Sequence, residues 1–265
     1  MTDALDNPNG PAFASWRSYQ LFASRIRGAR RFVWTSEIQA FLDTVLATAS
    51  SREFVIPEGA ILFRAQRGVE YVQNEHGGEE PLGHGRERMK PLPNRASEGR
   101  ANPAGIPVLY LATKIETAVA ETRPWIGAEM SVARFKTVRP LTVITFIQDV
   151  RKSALTTVLF SDVLGASEPD LERTNEAVWA DIDNAFSTPV SRDDVGSADY
   201  APTQIITELF KNAGYDGIAY NSNFGEGHNM ALFDTNSADV VSCAPYEVQS
   251  IEVRVRQFGN DWFSK

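Results

Sequence analysis

The run RANPAGIPVLYLATKIETAVAETRP, residues 100–124, constrains the fold more than any other part of the chain, because it sets a loop, a strand and a helix end to end. Asn102, Pro103, Gly105 and Pro107 punctuate a tight loop, and the apolar run 108–112 predicts a short buried strand. Thr113 with Glu116 three residues later is a capping-box pattern and Pro124 a stop, so a helix is expected over about 114–122. At about 100° per residue, Ile115, Ala118, Val119 and Thr122 share its buried face, with Glu121 beside them at the seam between core and solvent. Capping accounts for Glu116. Glu121 has no such role, and an arginine, a tyrosine and a glutamate around one loop, strand and helix read as a site.

Elsewhere the pattern alternates between helix and strand. Trp16, Tyr19, Leu21, Phe22 and Ile26, then Ile38, Phe41, Leu42, Val45 and Leu46, recur at helical spacing over about 15–50, and their aromatic residues are expected in the core. Arg25, Arg27, Arg30 and Arg31 form a basic cluster that reads as a solvated helix face, with a partner-docking or anion-attracting surface as the alternative. Residues 60–65 predict a strand that points Arg64 opposite Phe63. The polar stretch 66–99 reads as a long loop, 131–135 and 141–146 as strands, and 149–199 as a charged, largely helical region with its clearest helix at 171–186. Pro202 opens a helix with the apolar stripe Ile205, Ile206, Leu209 and Phe210, closed by Gly214. Residues 217–220 and 230–233 then predict a hairpin with Asn221 and Ser222 at its rim, where polar residues ordinarily serve the turn. The final segment, 248–258, alternates Ile251, Val253 and Val255 with charges, as expected of an edge strand.

Composition narrows the functional classes. With 265 residues, 43% hydrophobic and 23% charged, the chain can bury a substantial core. A net charge of −8 argues against general nucleic-acid binding, which needs a basic surface. The opening MTDALDNPNGP lacks the charged-then-apolar order of a signal peptide, and no run of about 18 apolar residues is present, so a cytoplasmic protein without a membrane partner is expected. Cys243 is the lone cysteine and reads as an inert thiol. His76, His84 and His228 have no metal-ligand spacing, so no metal is expected, and no phosphate-binding glycine loop occurs.

Several separated blocks stand in a recognisable order: Leu62-Phe63-Arg64-Ala65; Arg100-x-Asn102-Pro103 leading to Leu109-Tyr110-Leu111-Ala112 and Ala120-Glu121; then Tyr215-Asp216-Gly217-Ile218 to Tyr220-x-Ser222. In this the chain resembles the RES-domain family over roughly residues 55–235. The resemblance implies an ADP-ribosyltransferase-like fold and NAD as substrate. It also implies the toxin role of a toxin–antitoxin pair, with an Xre-type antitoxin as partner and inorganic phosphate or water as co-substrate. By position, Arg64 and Arg100 resemble the family's anion-binding arginines, expected on the NAD pyrophosphate. Tyr110 resembles the tyrosine packed on the nicotinamide or its ribose. Glu121 resembles the glutamate that stabilises charge at the breaking glycosidic bond or orients the attacking group, and Ser222 the serine that bonds ribose or carboxamide.

The expected architecture is α+β: a small, strongly bent antiparallel sheet of ADP-ribosyltransferase type carrying the site, surrounded by helices. The expected organisation is a helical N-terminal extension over 1–54 and a catalytic domain over 55–265 with a helical insertion at about 150–199. Three functions follow from the resemblance. The first is an NAD-degrading phosphorylase or glycohydrolase; the others are an ADP-ribosyltransferase acting on a protein and a non-catalytic NAD sensor. The carboxylate at Glu121 favours an enzyme, because a pure binder has no need of one beside the scissile bond.

Overall fold

Strands too short to be stable alone assemble into one eight-stranded sheet in the computed structural model, which describes residues 11–92, 94–147, 170–188, 198–253, 255, 257, 259–260 and 262. The elements before the cleft loop are α1 (Ser18–Gly28), α2 (Ser36–Thr48), β1 (Glu53–Ile56), β2 (Ile61–Arg67), β3 (Glu70–Gln73), β4 (Glu79–Leu82) and α3 (Arg86–Met89). After it come β5 (Leu109–Ala112), α4 (Ile115–Glu121), β6 (Glu129–Thr137), β7 (Leu141–Phe146), α5 (Leu171–Ser187), α6 (Ala201–Asn212), β8 (Gly217–Asn221), β9 (His228–Leu232) and β10 (Ala238–Glu247). The strand order is β1-β7-β8-β9-β5-β2-β6-β10. The chain is therefore α+β, with a sheet larger than expected. Its pairs are antiparallel except β7–β8, whose parallel join requires the long crossover that carries α5 and α6.

Side-chain alternation along the strands sorts most of the interior into two large cores. Ile144, Phe146, Ile218 and Tyr220 face one side with α1, α2, α5 and α6, where Phe146 stacks on Phe186 at 4.4 Å and Phe22 on Phe41 at 4.5 Å. Leu141, Val143 and Ala219 face the other side with Leu62, Met89, Leu109 and Phe135. Each large side chain removed from water here contributes roughly 1.5–3 kcal/mol before entropy is counted. The helical pattern at 15–50 resolves into two helices: α1 ends at Gly28, and Thr35 restarts the chain by capping Ile38 N–H of α2.

One irregularity of the sheet positions the site. β2 pairs with β6 from Ile61↔Lys136 to Arg67↔Met130, yet meets β5 only at Phe63↔Ala112. The sheet opens between β2 and β5, and side chains fill the gap that backbone bonds leave.

Three local expectations are corrected. Residues 66–99 are not a bare loop, because β3 and β4 form a hairpin and α3 follows. Asn74 Oδ1 accepts from His76 and Gly78 N–H and Gly77 takes a φ of 77°, while both strands are exposed and so lack a hydrophobic period. The capping box is not formed: Thr113 Oγ1 instead accepts from His228 N–H at 2.9 Å, and α4 starts at Ile115. The described residues of 248–258 form no strand, and Val253 and Val255 are exposed. The outer edge beside β6 is taken by β10, whose Pro245 is tolerable because an edge strand need not donate outward. Of the expected insertion, 148–169 and 189–197 lie outside the described residues, and the helix predicted at 171–186 is α5.

Candidate active site

A cleft of about 640 Å³ lies at the opening between β2 and β5, lined by Arg64, Arg100, Tyr110 and Glu121 together with Glu98 and Arg123. Arg64 projects from mid-β2, and its Nη1 donates to the Tyr110 carbonyl at 3.1 Å, bridging the parted strands. Its Nε is enclosed and has no hydrogen-bond partner, and no carboxylate pairs with it among the described residues. Burial holds the Arg64 guanidinium below the ordinary arginine range. An enclosed cation without a counter-ion is costly to the folded protein, and an anion in the cleft offsets that cost.

Arg100 reaches the same cleft from the loop before β5. Its Nη1 donates to the carbonyls of Phe186 at 2.6 Å and Ser187 at 3.2 Å, the last turn of α5, where orphan carbonyls and the helix dipole attract a cation. The guanidinium carbon stands 6.0 Å from the Tyr220 ring centre. The loop itself is fixed by Tyr110, whose hydroxyl donates to Asn102 Oδ1 at 2.7 Å and accepts from Ala101 N–H at 3.0 Å. Gly99 is required there, since a Cβ would meet the Tyr110 hydroxyl oxygen at 2.5 Å. Burial pushes the phenols of Tyr110 and Tyr220 up, so both stay neutral.

On the facing wall Glu121 ends α4. Its Oε1 accepts from Ser222 Oγ at 2.8 Å and from Asn229 Nδ2 at 2.5 Å. Both donors meet one oxygen, and Oε2 has no protein donor among the described residues. Ser222 is buried behind the carboxylate, where its hydroxyl also accepts from Phe224 N–H at 3.1 Å; it is not among the residues lining the cleft. Two threonines staple this segment to the end of the β8–β9 turn, Thr113 just before α4 through His228 N–H and Thr117 within α4 through Gly227 N–H at 3.1 Å. A Cβ at Gly227 would lie 2.4 Å from Thr117 Oγ1, so this close approach needs glycine.

Residues 62–256 match the RES domain. The chain belongs to the RES-domain family. A comparison with solved structures matches it to a chain of the crystal structure of the M. tuberculosis MbcT–MbcA toxin–antitoxin complex, at 12% identity and a TM-score of 0.37, covering 75% of this chain and 90% of that one. A comparison with curated protein sequences finds no match.

In this RES domain the side chains that hold the site together were the ones hardest to find in the sequence. Asn229 anchors Glu121 from β9, and the signal for it was a polar residue inside a strand pattern, 5% exposed in the fold. Gln204 of α6 is likewise buried and donates to Glu98 Oε1, Gly99 O and Asn102 O at 3.0–3.1 Å. Arg123, just beyond α4, takes a φ of 50° and sets its guanidinium 5.2 Å from the Phe224 ring at the cleft mouth. Arg67 holds that turn by donating to the carbonyls of Thr122 and Arg123. No local periodicity marks any of these contacts.

Proposed function

We propose that this RES domain is an NAD-degrading enzyme that breaks the bond between nicotinamide and ribose, with phosphate or water as acceptor, and that it serves as the toxin of a toxin–antitoxin pair. The observation that carries this reading is Glu121, anchored through one oxygen and lining a cleft that also holds Arg64, which no carboxylate pairs among the described residues. Arg64 and Arg100 supply two cations for the pyrophosphate, and the ring of Tyr110 lines the space beside them. Glu121 Oε2 then stands against the nicotinamide ribose.

As the glycosidic bond breaks, its electron pair leaves with the nicotinamide, which departs neutral, and positive charge develops on the ribose. A fixed carboxylate stabilises that charge and orients the acceptor oxygen that bonds to the same carbon. Phosphate would give ADP-ribose phosphate and water would give ADP-ribose plus a proton. Ser222 acts through Glu121 by holding its orientation, together with Asn229. The toxin role and an Xre-type antitoxin partner rest on the family resemblance, and a cytoplasmic site of action on the need to meet free NAD.

The test is incubation of the purified protein with NAD, with and without inorganic phosphate, beside Glu121→Gln, with products identified by mass spectrometry. ADP-ribose phosphate formed only with phosphate identifies a phosphorylase, and ADP-ribose a glycohydrolase. NAD left intact in every tube would overturn the reading and direct the search to ADP-ribose transfer onto a protein or to sensing alone.

A further inference from the structure

The cleft contains a second carboxylate that the proposed reaction leaves without a task. Glu98 stands two residues before Arg100 and lines the cleft, on the loop tied to α6. Its Oε1 accepts from Gln204 Nε2 at 3.1 Å, and no Lys, Arg or His pairs with it among the described residues. The arrangement repeats that of Glu121, whose Oε1 is held by the Asn229 amide. In both cases a buried side-chain amide anchors one carboxylate oxygen and leaves Oε2 without a protein donor.

The cleft thus presents two anchored carboxylates on separate supports and three arginines, Arg64, Arg100 and Arg123. A dinucleotide presents the complementary pattern: a pyrophosphate between two riboses, each with a pair of hydroxyl donors. A carboxylate accepts two hydroxyl hydrogen bonds in one plane, which is the chemistry that recognises a free ribose diol. The same group repels a phosphate placed on that diol. Glu121 faces the ribose that reacts, which leaves the other ribose for Glu98.

We propose that Glu98, positioned by Gln204, binds the 2′- and 3′-hydroxyls of the adenosine ribose and makes the cleft selective for a dinucleotide without a 2′-phosphate. This rests on the reading of the cleft as an NAD site. Glu98 is a specificity residue and takes no part in bond cleavage.

Calorimetric titration of the whole protein with ADP-ribose and with ADP-ribose 2′-phosphate tests it without requiring turnover. The unmutated protein should bind ADP-ribose at least about tenfold more tightly than its 2′-phosphate. Glu98→Gln keeps an oxygen for the Gln204 amide and removes the charge, so the preference should shrink to about threefold or less, chiefly by tighter binding of the phosphorylated ligand. An unchanged ratio in Glu98→Gln, or equal weakening of both ligands, would show that Glu98 only braces the loop and would overturn the inference. Absence of binding by both ligands would overturn it together with the NAD site. Selective binding of ADP-ribose by a protein that leaves NAD intact would keep the inference and remove the proposed reaction.

Discussion

Arg100 Nη1 donates to the Phe186 carbonyl at 2.6 Å, so a cation of the cleft is held by the end of a helix far along the chain. The C-terminal turn of α5 also receives Asn223 Nδ2 at the Ser187 carbonyl, at 2.5 Å. One helix end therefore steadies both the arginine loop and the β8–β9 turn that supports Glu121.

Arg100→Lys should separate binding from chemistry. A lysine keeps the charge but lacks the further guanidinium nitrogens that can face an anion while Nη1 holds the two carbonyls. We expect KM for NAD to rise about tenfold with kcat falling less than about threefold, read from steady-state rates. Equal losses in both parameters would contradict a binding role.

Glu121→Gln should lower kcat by roughly 10²–10⁴ while leaving the melting temperature nearly unchanged, since the side chain keeps its shape and removes only the charge that the proposed reaction uses. Induced expression of the unmutated chain should arrest bacterial growth, and expression of the variant should not. Asn229→Ala should lower kcat by about tenfold, because one of two donors to Oε1 is lost.

Arg64→Met should trade function for stability. The enclosed guanidinium has an unpartnered Nε and no carboxylate partner among the described residues, so its replacement by an apolar chain should stabilise the ligand-free protein by roughly 1 kcal/mol. The thermal shift produced by ADP-ribose should disappear in the same variant. A lower melting temperature without ligand would refute the cost assigned to this cation.

Asp183 predicts a pH dependence of stability. Its Oδ1 lies 2.9 Å from Arg52 Nη1, its Oδ2 is buried without a partner among the described residues, and burial pushes the carboxyl from 3.8 up to about 7 against the attraction of Arg52. A carboxyl whose folded pKa exceeds its unfolded one holds its proton more tightly when folded, so its contribution is complete below about pH 4 and lost as pH rises to about 7. Across that window Asp183→Asn should gain roughly 2–4 kcal/mol relative to the unmutated protein, measured by urea unfolding at each pH. Parallel stability curves would remove Asp183 as the cause.

Much of the fold was legible where burial imposes a period. The stripe of α6, the helix at 171–186 and the hairpin of β8 and β9 follow from apolar spacing and from Pro202 and Gly214, whose φ is 93°. The hairpin of β3 and β4 and the edge strand β10 were not legible, because the hairpin strands are exposed throughout and β10 is only partly buried, so neither carries a clear apolar alternation and each takes its place from neighbours. Thr113 illustrates the same limit: a capping pattern and a link to His228 use the same hydroxyl, and only the folded neighbourhood chooses between them.

The sequence by itself determined the elements whose buried faces repeat at helix or strand spacing, together with the order of the blocks that mark the RES domain. Tertiary structure alone decided that Ser222 lies behind Glu121, that Asn229 and Gln204 each anchor a carboxylate through one oxygen, and that the cleft opens where β2 parts from β5. Those contacts join residues such as Asn229 and Glu121, 108 positions apart, through single polar atoms. A hydrogen bond between distant side chains leaves no period along the chain, whereas an apolar face must recur at every turn to be buried.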